Sequence, residues 1–247
     1  MKDKITIAAL QQMKREGRKI VGVVVYDYQM AQIVDRAGVD LVSVGDSVGM
    51  NMWGHSSEGE VTLDQMLLAC KAVRRGVARA LVSCDLPGRI DDVVAAARVL
   101  ATDGGADMVK VEAAAESIRA IAEAGIPVWA QLGSSGQLAA GSGQEVMRVV
   151  SEAKLLEEAG ASLLDFRHSG PVAGPAVAAA VSIPVIGGLG GGPWLDGRVR
   201  AVVNAIGYTA AALDDGADRY VNVARTALDA ITTYAGDVRA GRQVRGK

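Results

Sequence analysis

Short apolar runs alternate along the chain with longer segments whose apolar residues recur every three or four positions. The short runs are typical of strands buried on both faces, and the longer segments are typical of amphipathic helices. The pattern predicts strands at 20–25, 40–44, 80–84, 108–111, 128–131 and 162–166, a seventh opened by Ile183-Pro184, and an eighth at 199–203. One strand and one helix recur about every 20–30 residues, which is the pattern of βαβ units.

Helix boundaries are indicated by capping residues. Thr62 with Gln65 three positions later is a capping box, and Gly38 and Gly125 are typical of residues that follow a helix. The pattern predicts a leading helix at 6–15, further helices at 29–37, 62–76, 90–102, 144–159 and 175–181, one ending at Gly125, and a final helix at 219–235. We therefore predict a single α/β domain over 1–247, a (β/α)8 TIM barrel with an N-terminal and a C-terminal helix.

Composition narrows the class of protein. Of 247 residues, 50% are hydrophobic, and the net charge is −2, with no basic stripe of the kind that binds nucleic acid. No apolar run reaches the roughly 18 residues of a membrane span, and the first residues do not resemble a signal peptide. We expect a cytoplasmic protein that binds neither membranes nor nucleic acid, with Cys70 and Cys84 as buried reduced thiols.

Three consecutive strands run into an acidic residue. Asp46, Asp85 and Glu112 follow strands two, three and four, and the carboxyl ends of barrel strands are where active sites form. Carboxylates are the protein ligands that Mg²⁺ prefers, and its open positions would suit the keto and carboxylate oxygens of a 2-oxo acid. The alternative is that each acid caps the next helix. Three acids at successive strand ends favour the metal site.

Other polar residues extend this candidate site. Lys110 is expected to hold a substrate carboxylate, to form a salt bridge with Glu112 or Asp85, or both. Ser47 either binds substrate or only forms the turn. His168 could face the barrel mouth, whereas His55 lies in a polar loop. The five glycines within 187–192 form either a phosphate cradle or a tight turn.

Several short motifs occur in order along the chain: Tyr26-Asp27-Tyr28, Gly45-Asp46-Ser47-Val48-Gly49-Met50, Gly54-His55, Val61-Thr62-Leu63, Asp85-Leu86-Pro87, Gly104-Gly105-Ala106-Asp107, Lys110-Val111-Glu112, Gly125-Ile126-Pro127-Val128 and Ser182-Ile183-Pro184. In this order they resemble the motifs of the ketopantoate hydroxymethyltransferase family. The resemblance implies a barrel of the phosphoenolpyruvate mutase/isocitrate lyase superfamily. It also implies Mg²⁺ on Asp46 and Asp85 with Glu112 nearby through water, and a homo-oligomer, decameric in the family. The implied reaction moves a one-carbon unit from methylenetetrahydrofolate to 3-methyl-2-oxobutanoate.

The chain departs from the family pattern at the groups that would move protons. Gln131 stands where the family has a His, and Arg167 stands where the family has a Glu that acts as general base. A guanidinium cannot accept a proton at neutral pH. The loop after Gly133 also looks shortened, and 187–192 carries an extra glycine.

We therefore hypothesise a Mg²⁺-dependent enzyme that forms a carbon–carbon bond beside a 2-oxo acid. Asp46, Asp85, Ser47, Lys110 and Gln131 would contact substrate, and Lys110 and Arg167 would take part in catalysis. His168 or Asp165 would replace the base. Two alternatives remain: a lyase or decarboxylase for another 2-oxo acid, such as a dicarboxylic one that Arg167 would bind, and a non-catalytic paralogue that binds a 2-oxo acid.

Overall fold

The computed structural model describes residues 3–112, 114–132, 143–188 and 192–243. Eight parallel strands form a closed barrel in the order in which they occur in the chain. They are β1 Ile20–Val25, β2 Leu41–Val44, β3 Leu81–Asp85, β4 Met108–Val111, β5 Val128–Gln131, β6 Ala161–Asp165, β7 Val185–Gly187 and β8 Gly197–Ala201. The prediction of a (β/α)8 barrel with flanking helices is confirmed.

Helices follow the strands as the periodicity indicates. They are α1 Ile7–Arg15, α2 Tyr28–Ala37, α3 Leu63–Gly76, α4 Val93–Thr102, α5 Ala115–Glu123, α6 Gly143–Glu158, α7 Ala173–Ala180, α8 Val202–Ile206 and α9 Val223–Arg239. The capping box of Thr62 and Gln65 begins α3, and Gly38 ends α2 with a φ of 88°. Both capping predictions are confirmed.

Two predicted boundaries near the end of the chain are wrong. The eighth strand lies at Gly197–Ala201 rather than 199–203, since Gly197 pairs with Ile186 of β7 and its α-carbon lies against Ile20. A Cβ on Gly197 would approach the Ile20 carbonyl oxygen to 2.2 Å, so only glycine fits this close approach. The last helix begins at Val223 rather than at 219, because the Asn222 side chain accepts a hydrogen bond from the Arg225 backbone and caps it.

One cluster of the hydrophobic core lies towards the amino-terminal ends of the strands. Leu10 and Met13 of α1 pack in one cluster with residues from early positions in the strands, among them Ile20, Leu41, Leu81, Met108, Trp129 and Leu163. α1 therefore contributes to the apolar half of the barrel. This leaves the carboxyl ends of the strands, where the acidic residues lie, available for a polar site.

The chain divides into two compact units, 1–200 and 201–247. The first contains the barrel strands except Ala201, the last residue of β8. In the second, the Asn222 side chain donates to the Ala212 carbonyl, and the Tyr220 backbone donates to the Ala205 carbonyl. The single-domain assignment stays a prediction.

Two smaller expectations concern the cysteines and the membrane. Cys70 and Cys84 are both buried and free of disulfide bonds, as expected. Within the described ranges, helices are too short or too polar to cross a bilayer.

Candidate active site at the carboxyl end of the barrel

A small cavity opens at the carboxyl ends of β2 to β6. Its volume is about 150 Å³, below the roughly 300–1,000 Å³ typical of drug-sized ligands, so it suits a small acid. Six residues of the predicted site lie on its wall: Asp46, Asp85, Lys110, Glu112, Gln131 and Arg167. The structure thus brings together side chains from five consecutive strand ends.

The strand register explains why these side chains meet. Asp85 of β3 lies beside Lys110 of β4, and Gln131 of β5 lies beside Asp165 of β6. Lys110 is in turn beside Trp129, whose ring centroid is 5.2 Å from the Lys110 Nζ. Adjacent residues at the same level of a closed barrel lie close together at its mouth.

None of the three predicted metal ligands caps a helix. The side chains of Thr62 and Asp92 cap α3 and α4, and α5 begins after Ala114 without a side-chain cap. Asp46 and Asp85 instead lie on the cavity wall together with Glu112. The alternative explanation of these acids as ordinary N-caps is therefore wrong.

Lys110 lies at the centre of a buried charge network. Its Nζ is 3.2 Å from Asp165 Oδ2 and 3.7 Å from Asp85 Oδ2, and Arg167 Nε donates to the same Asp165 oxygen at 3.0 Å. Burial lowers the pKa of Lys110, but the carboxylates of Asp85 and Asp165 outweigh burial and raise the pKa overall. Lys110 is therefore a charged group inside the barrel mouth, and its predicted salt bridge with Asp85 is present.

Asp46 and Asp85 are carboxylates with incomplete charge compensation. Burial raises the pKa of Asp85 to about 6, against the opposing effect of Lys110, and Asp46 raises it further. Burial, followed by the charge of Glu58, also raises the pKa of Asp46. Asp85 Oδ1 is buried without a hydrogen-bond partner. A buried carboxylate with an unsatisfied oxygen, such as that of Asp85, suits a bound cation.

The proposed ligand set contains two acids on one cavity wall rather than a group of three. Among the residues that the structure describes, no three Asp, Glu, His or Cys side chains form a group that could hold a metal directly. Glu112 is exposed on the cavity wall, and its role near a metal stays a prediction. The donor set that fits Mg²⁺ is therefore Asp46 and Asp85, completed by water and substrate, which is how Mg²⁺ is commonly bound.

Ser47 belongs to a second polar network beside the cavity. Its hydroxyl shares a hydrogen bond of 3.0 Å with the Tyr26 hydroxyl, which also accepts one from Asn51 Nδ2 at 3.2 Å. Burial raises the pKa of Tyr26, so its phenol stays protonated. Tyr26 lies in a matched motif, but nothing in the sequence linked it to Ser47. A π-helical turn over Gly49–Trp53 accompanies this arrangement.

The histidines are not brought into the cavity wall. His168 has a φ of 50° and follows Arg167 in a turn. His55 contacts Trp53, with the ring centroids 5.8 Å apart. The predicted catalytic role of His168 gains no geometric support within the described residues, while Arg167 does lie on the wall.

Glu58 is a wall residue that sequence analysis missed. It lies in a short 3-10 turn, Glu58–Glu60, within a polar loop, and its charge acts on both Asp46 and Arg167. A single acid in a polar loop carries no signal of function in the sequence. The loop 133–142 and residues 189–191 of the glycine-rich segment lie outside the described residues.

Known proteins resemble this chain over nearly its whole length. A sequence profile described as ketopantoate hydroxymethyltransferase matches residues 4–243. The 3-methyl-2-oxobutanoate hydroxymethyltransferase of Hyperthermus butylicus is 37% identical over 98% of this chain and 88% of its own. That of Moorella thermoacetica is 35% identical over 98% and 96% of the two chains.

Solved structures share the fold at low sequence identity. A phosphonopyruvate hydrolase complex with oxalate and Mg²⁺ has a TM-score of 0.62 at 15% identity, covering 96% of this chain and 88% of its own. A 2,3-dimethylmalate lyase of the phosphoenolpyruvate mutase/isocitrate lyase superfamily has a TM-score of 0.62 at 16% identity, covering 98% and 90%. These similarities agree with the barrel described above.

Proposed function

Since the chain belongs to the ketopantoate hydroxymethyltransferase family, we propose that it is a Mg²⁺-dependent enzyme that adds a hydroxymethyl group beside the keto group of a 2-oxo acid. The first candidate substrates are 3-methyl-2-oxobutanoate and methylenetetrahydrofolate, from which the one-carbon unit would come. The observation that carries the proposal is that the half-buried Asp46 and the buried Asp85 line one cavity with the charged Lys110, which forms an ion pair with Asp85.

The charged side chains that line the cavity favour the binding of a cation. Four acidic and two basic side chains line it, so the wall carries two more negative than positive formal charges. Asp46 and Asp85 would hold Mg²⁺. When bound, this ion would polarise a chelating 2-oxo acid and stabilise the enolate formed by proton loss. The structure of the phosphonopyruvate hydrolase relative contains both Mg²⁺ and oxalate, which makes this combination a reasonable one to test here.

Lys110 would orient the substrate. Its ammonium group is buried, charged and held by two carboxylates and the face of Trp129, so its position is set before substrate arrives. An ammonium group at this place would bind an anionic oxygen of the substrate. Ser47, fixed by Tyr26, would supply a hydroxyl at the neighbouring strand end.

The proton acceptor must be a different residue from Arg167. A guanidinium is not a base at neutral pH. Asp46 and Asp85 are assigned to the metal, and the remaining acids on the wall are Glu58 and Glu112. We assign proton transfer to one of these two, and the Glu58→Gln and Glu112→Gln variants separate them. The variant lacking the base should lose at least about 100-fold in kcat, and the other should retain most activity.

The proposal is tested by supplying the purified protein with 3-methyl-2-oxobutanoate, methylenetetrahydrofolate and Mg²⁺ and measuring ketopantoate. We expect product that disappears with EDTA and returns with excess Mg²⁺. Asp85→Asn should abolish it, and Asp103→Asn, which changes an exposed acid at the end of α4, should not. A wild-type protein that forms no product under these conditions would overturn the assignment of this reaction.

Two further family properties are proposed for this chain. We infer a homo-oligomer and a cytoplasmic location from family membership. Sedimentation of the purified protein would show a single small species if the oligomer is absent, and fractionation of the source cells would test the location.

A further inference from the structure

The guanidinium of Arg167 is only partly used by the protein. Its Nε donates to Asp165 Oδ2 at 3.0 Å, and about one third of the side chain is exposed (34%). Within the described ranges, neither of its terminal nitrogens has a hydrogen-bond or ion-pair partner. Arg167 nevertheless lies on the cavity wall, in the same small space as Asp85 and Lys110.

The carboxylate of Asp165 holds the guanidinium of Arg167 in place. Its side chain is 2% exposed, and its Oδ2 atom is bound by both Arg167 and Lys110. A guanidinium has five N–H donors in a rigid plane. With the Nε–H engaged, the four N–H groups on the terminal nitrogens remain as a fork of the shape that binds a carboxylate through two parallel hydrogen bonds.

A purely aliphatic substrate would leave this fork without a partner. Binding a 2-oxo acid with an apolar tail would remove water from Arg167 and replace it with methyl groups, and an unsatisfied charged donor is costly to desolvate. Glu58 affects Arg167 electrostatically, but no ion pair between the two is present in the described part of the chain. A second carboxylate on the substrate would satisfy the fork.

From this geometry we propose that Arg167 binds a second carboxylate of the substrate, so that a dicarboxylic 2-oxo acid binds more tightly than a monocarboxylic one such as 3-methyl-2-oxobutanoate, the first candidate substrate. This inference rests on the proposed function, because it assumes that the 2-oxo-acid end occupies the site formed by Asp46, Asp85 and Lys110. In this arrangement Arg167 selects the substrate rather than moving a proton.

The test uses matched ligands and the Mg²⁺-loaded full-length protein. Two pairs of 2-oxo acids differ only in carrying a carboxylate or a methyl group at the far end: 2-oxoglutarate against 2-oxopentanoate, and oxaloacetate against 2-oxobutanoate. Calorimetry would give the dissociation constant of each ligand for the wild type, Arg167→Gln, Arg167→Lys and a control, Arg98→Gln, which changes an exposed arginine of α4.

We expect the wild type to bind the dicarboxylic member of at least one pair about 10–100-fold more tightly, the range for a charge-assisted pair of hydrogen bonds. Arg167→Gln should remove that preference while changing the affinity for the monocarboxylic acid less than about threefold. Arg167→Lys should retain part of the preference, since it keeps the charge and loses the fork. Arg98→Gln should behave as the wild type.

The outcomes separate this inference from the function on which it rests. Equal binding of both members of each pair by the wild type would overturn the inference alone. So would an equal loss of affinity for both members in Arg167→Gln, which would show a structural role. Failure of the wild type to bind any of the four acids would overturn the proposed 2-oxo-acid site itself and this inference with it.

Discussion

Replacing Asp85 by Asn should stabilise the metal-free protein while abolishing its response to Mg²⁺. The pKa of Asp85 rises from 3.8 to about 6, and the chief cause is burial. A tenfold change in proton affinity corresponds to about 1.4 kcal/mol, so keeping this carboxylate ionised above pH 6 costs the folded state about 3 kcal/mol. Asn has a similar shape and carries no charge.

The stabilisation should depend on pH in a defined direction. Below about pH 4 the carboxyl is protonated in both the folded and the unfolded chain, and no penalty exists. Between about pH 4 and 6 the unfolded chain releases the proton first, so the stability of the wild type falls as the pH rises. Above pH 6 the penalty is complete. The advantage of Asp85→Asn should therefore be largest at pH 8 and small at pH 4.5.

The attraction of Lys110 is already contained in this figure. Lys110 Nζ is 3.7 Å from Asp85 Oδ2, and its charge lowers the pKa that burial raises to about 6. We therefore expect a net stabilisation of about 3 kcal/mol at pH 8. With Mg²⁺ at 100 times its dissociation constant, the wild type should gain about 2.7 kcal/mol and the variant nothing.

Urea unfolding at pH 4.5 and at pH 8, each in EDTA and in Mg²⁺, measures the free energy of unfolding under all four conditions. The Asp103→Asn variant, whose acid is exposed, serves as the matched control and should show no comparable change at either pH. If Asp85→Asn were less stable than the wild type in EDTA at pH 8, the reasoning from burial would be refuted. If it retained the full Mg²⁺ stabilisation, Asp85 would not be a ligand.

Three further substitutions test separate parts of the structure. Lys110→Met should lower the stability by about 3 kcal/mol at pH 8 and kcat/KM at least about 100-fold, because it leaves Asp85 without its ion-pair partner and Asp165 with Arg167 alone. Urea unfolding and rate measurements check this, and an unchanged rate would remove Lys110 from the mechanism. Tyr26→Phe should raise KM. The double variant with Ser47→Ala should raise KM little more than either change alone, since the two hydroxyls act through one hydrogen bond; fully additive effects on KM would contradict this. Thr62→Ala should lower the stability by about 1 kcal/mol in urea unfolding and leave kcat unchanged, because it removes only the helix cap of α3; an altered kcat would indicate a wider role.

The elements of the barrel follow from the sequence because their signals are local. Apolar runs are required wherever a strand is covered on both faces, and Thr62 and Gly38 mark helix ends by hydrogen bonding and backbone conformation that neighbouring residues determine. The eighth strand begins two residues before its predicted start, because that start depends on the contact of Gly197 with Ile20. That contact joins the first and last strands, so it cannot be inferred from the residues next to Gly197 in the sequence.

The candidate site was likewise predictable from the sequence only in part. Placing Asp46, Asp85, Lys110 and Glu112 at one end of the barrel required only the order of strands and the rule that parallel strands share their carboxyl ends. The partners of each side chain could not be inferred from the sequence. Lys110 bonds Asp165 more closely than Asp85, and Ser47 is joined to a tyrosine 21 positions away.

Position along the chain therefore determined that the strand-end residues Asp46, Asp85, Lys110 and Glu112 reach the barrel mouth, since local periodicity and parallel strand order decide that without distant contacts. Only the tertiary structure decided which charges are compensated there. Burial leaves Asp85 Oδ1 without a partner, and the closing of the barrel brings Asp165 of β6 to Lys110 of β4. Both properties arise from contacts between residues far apart in sequence, so local sequence patterns do not show them.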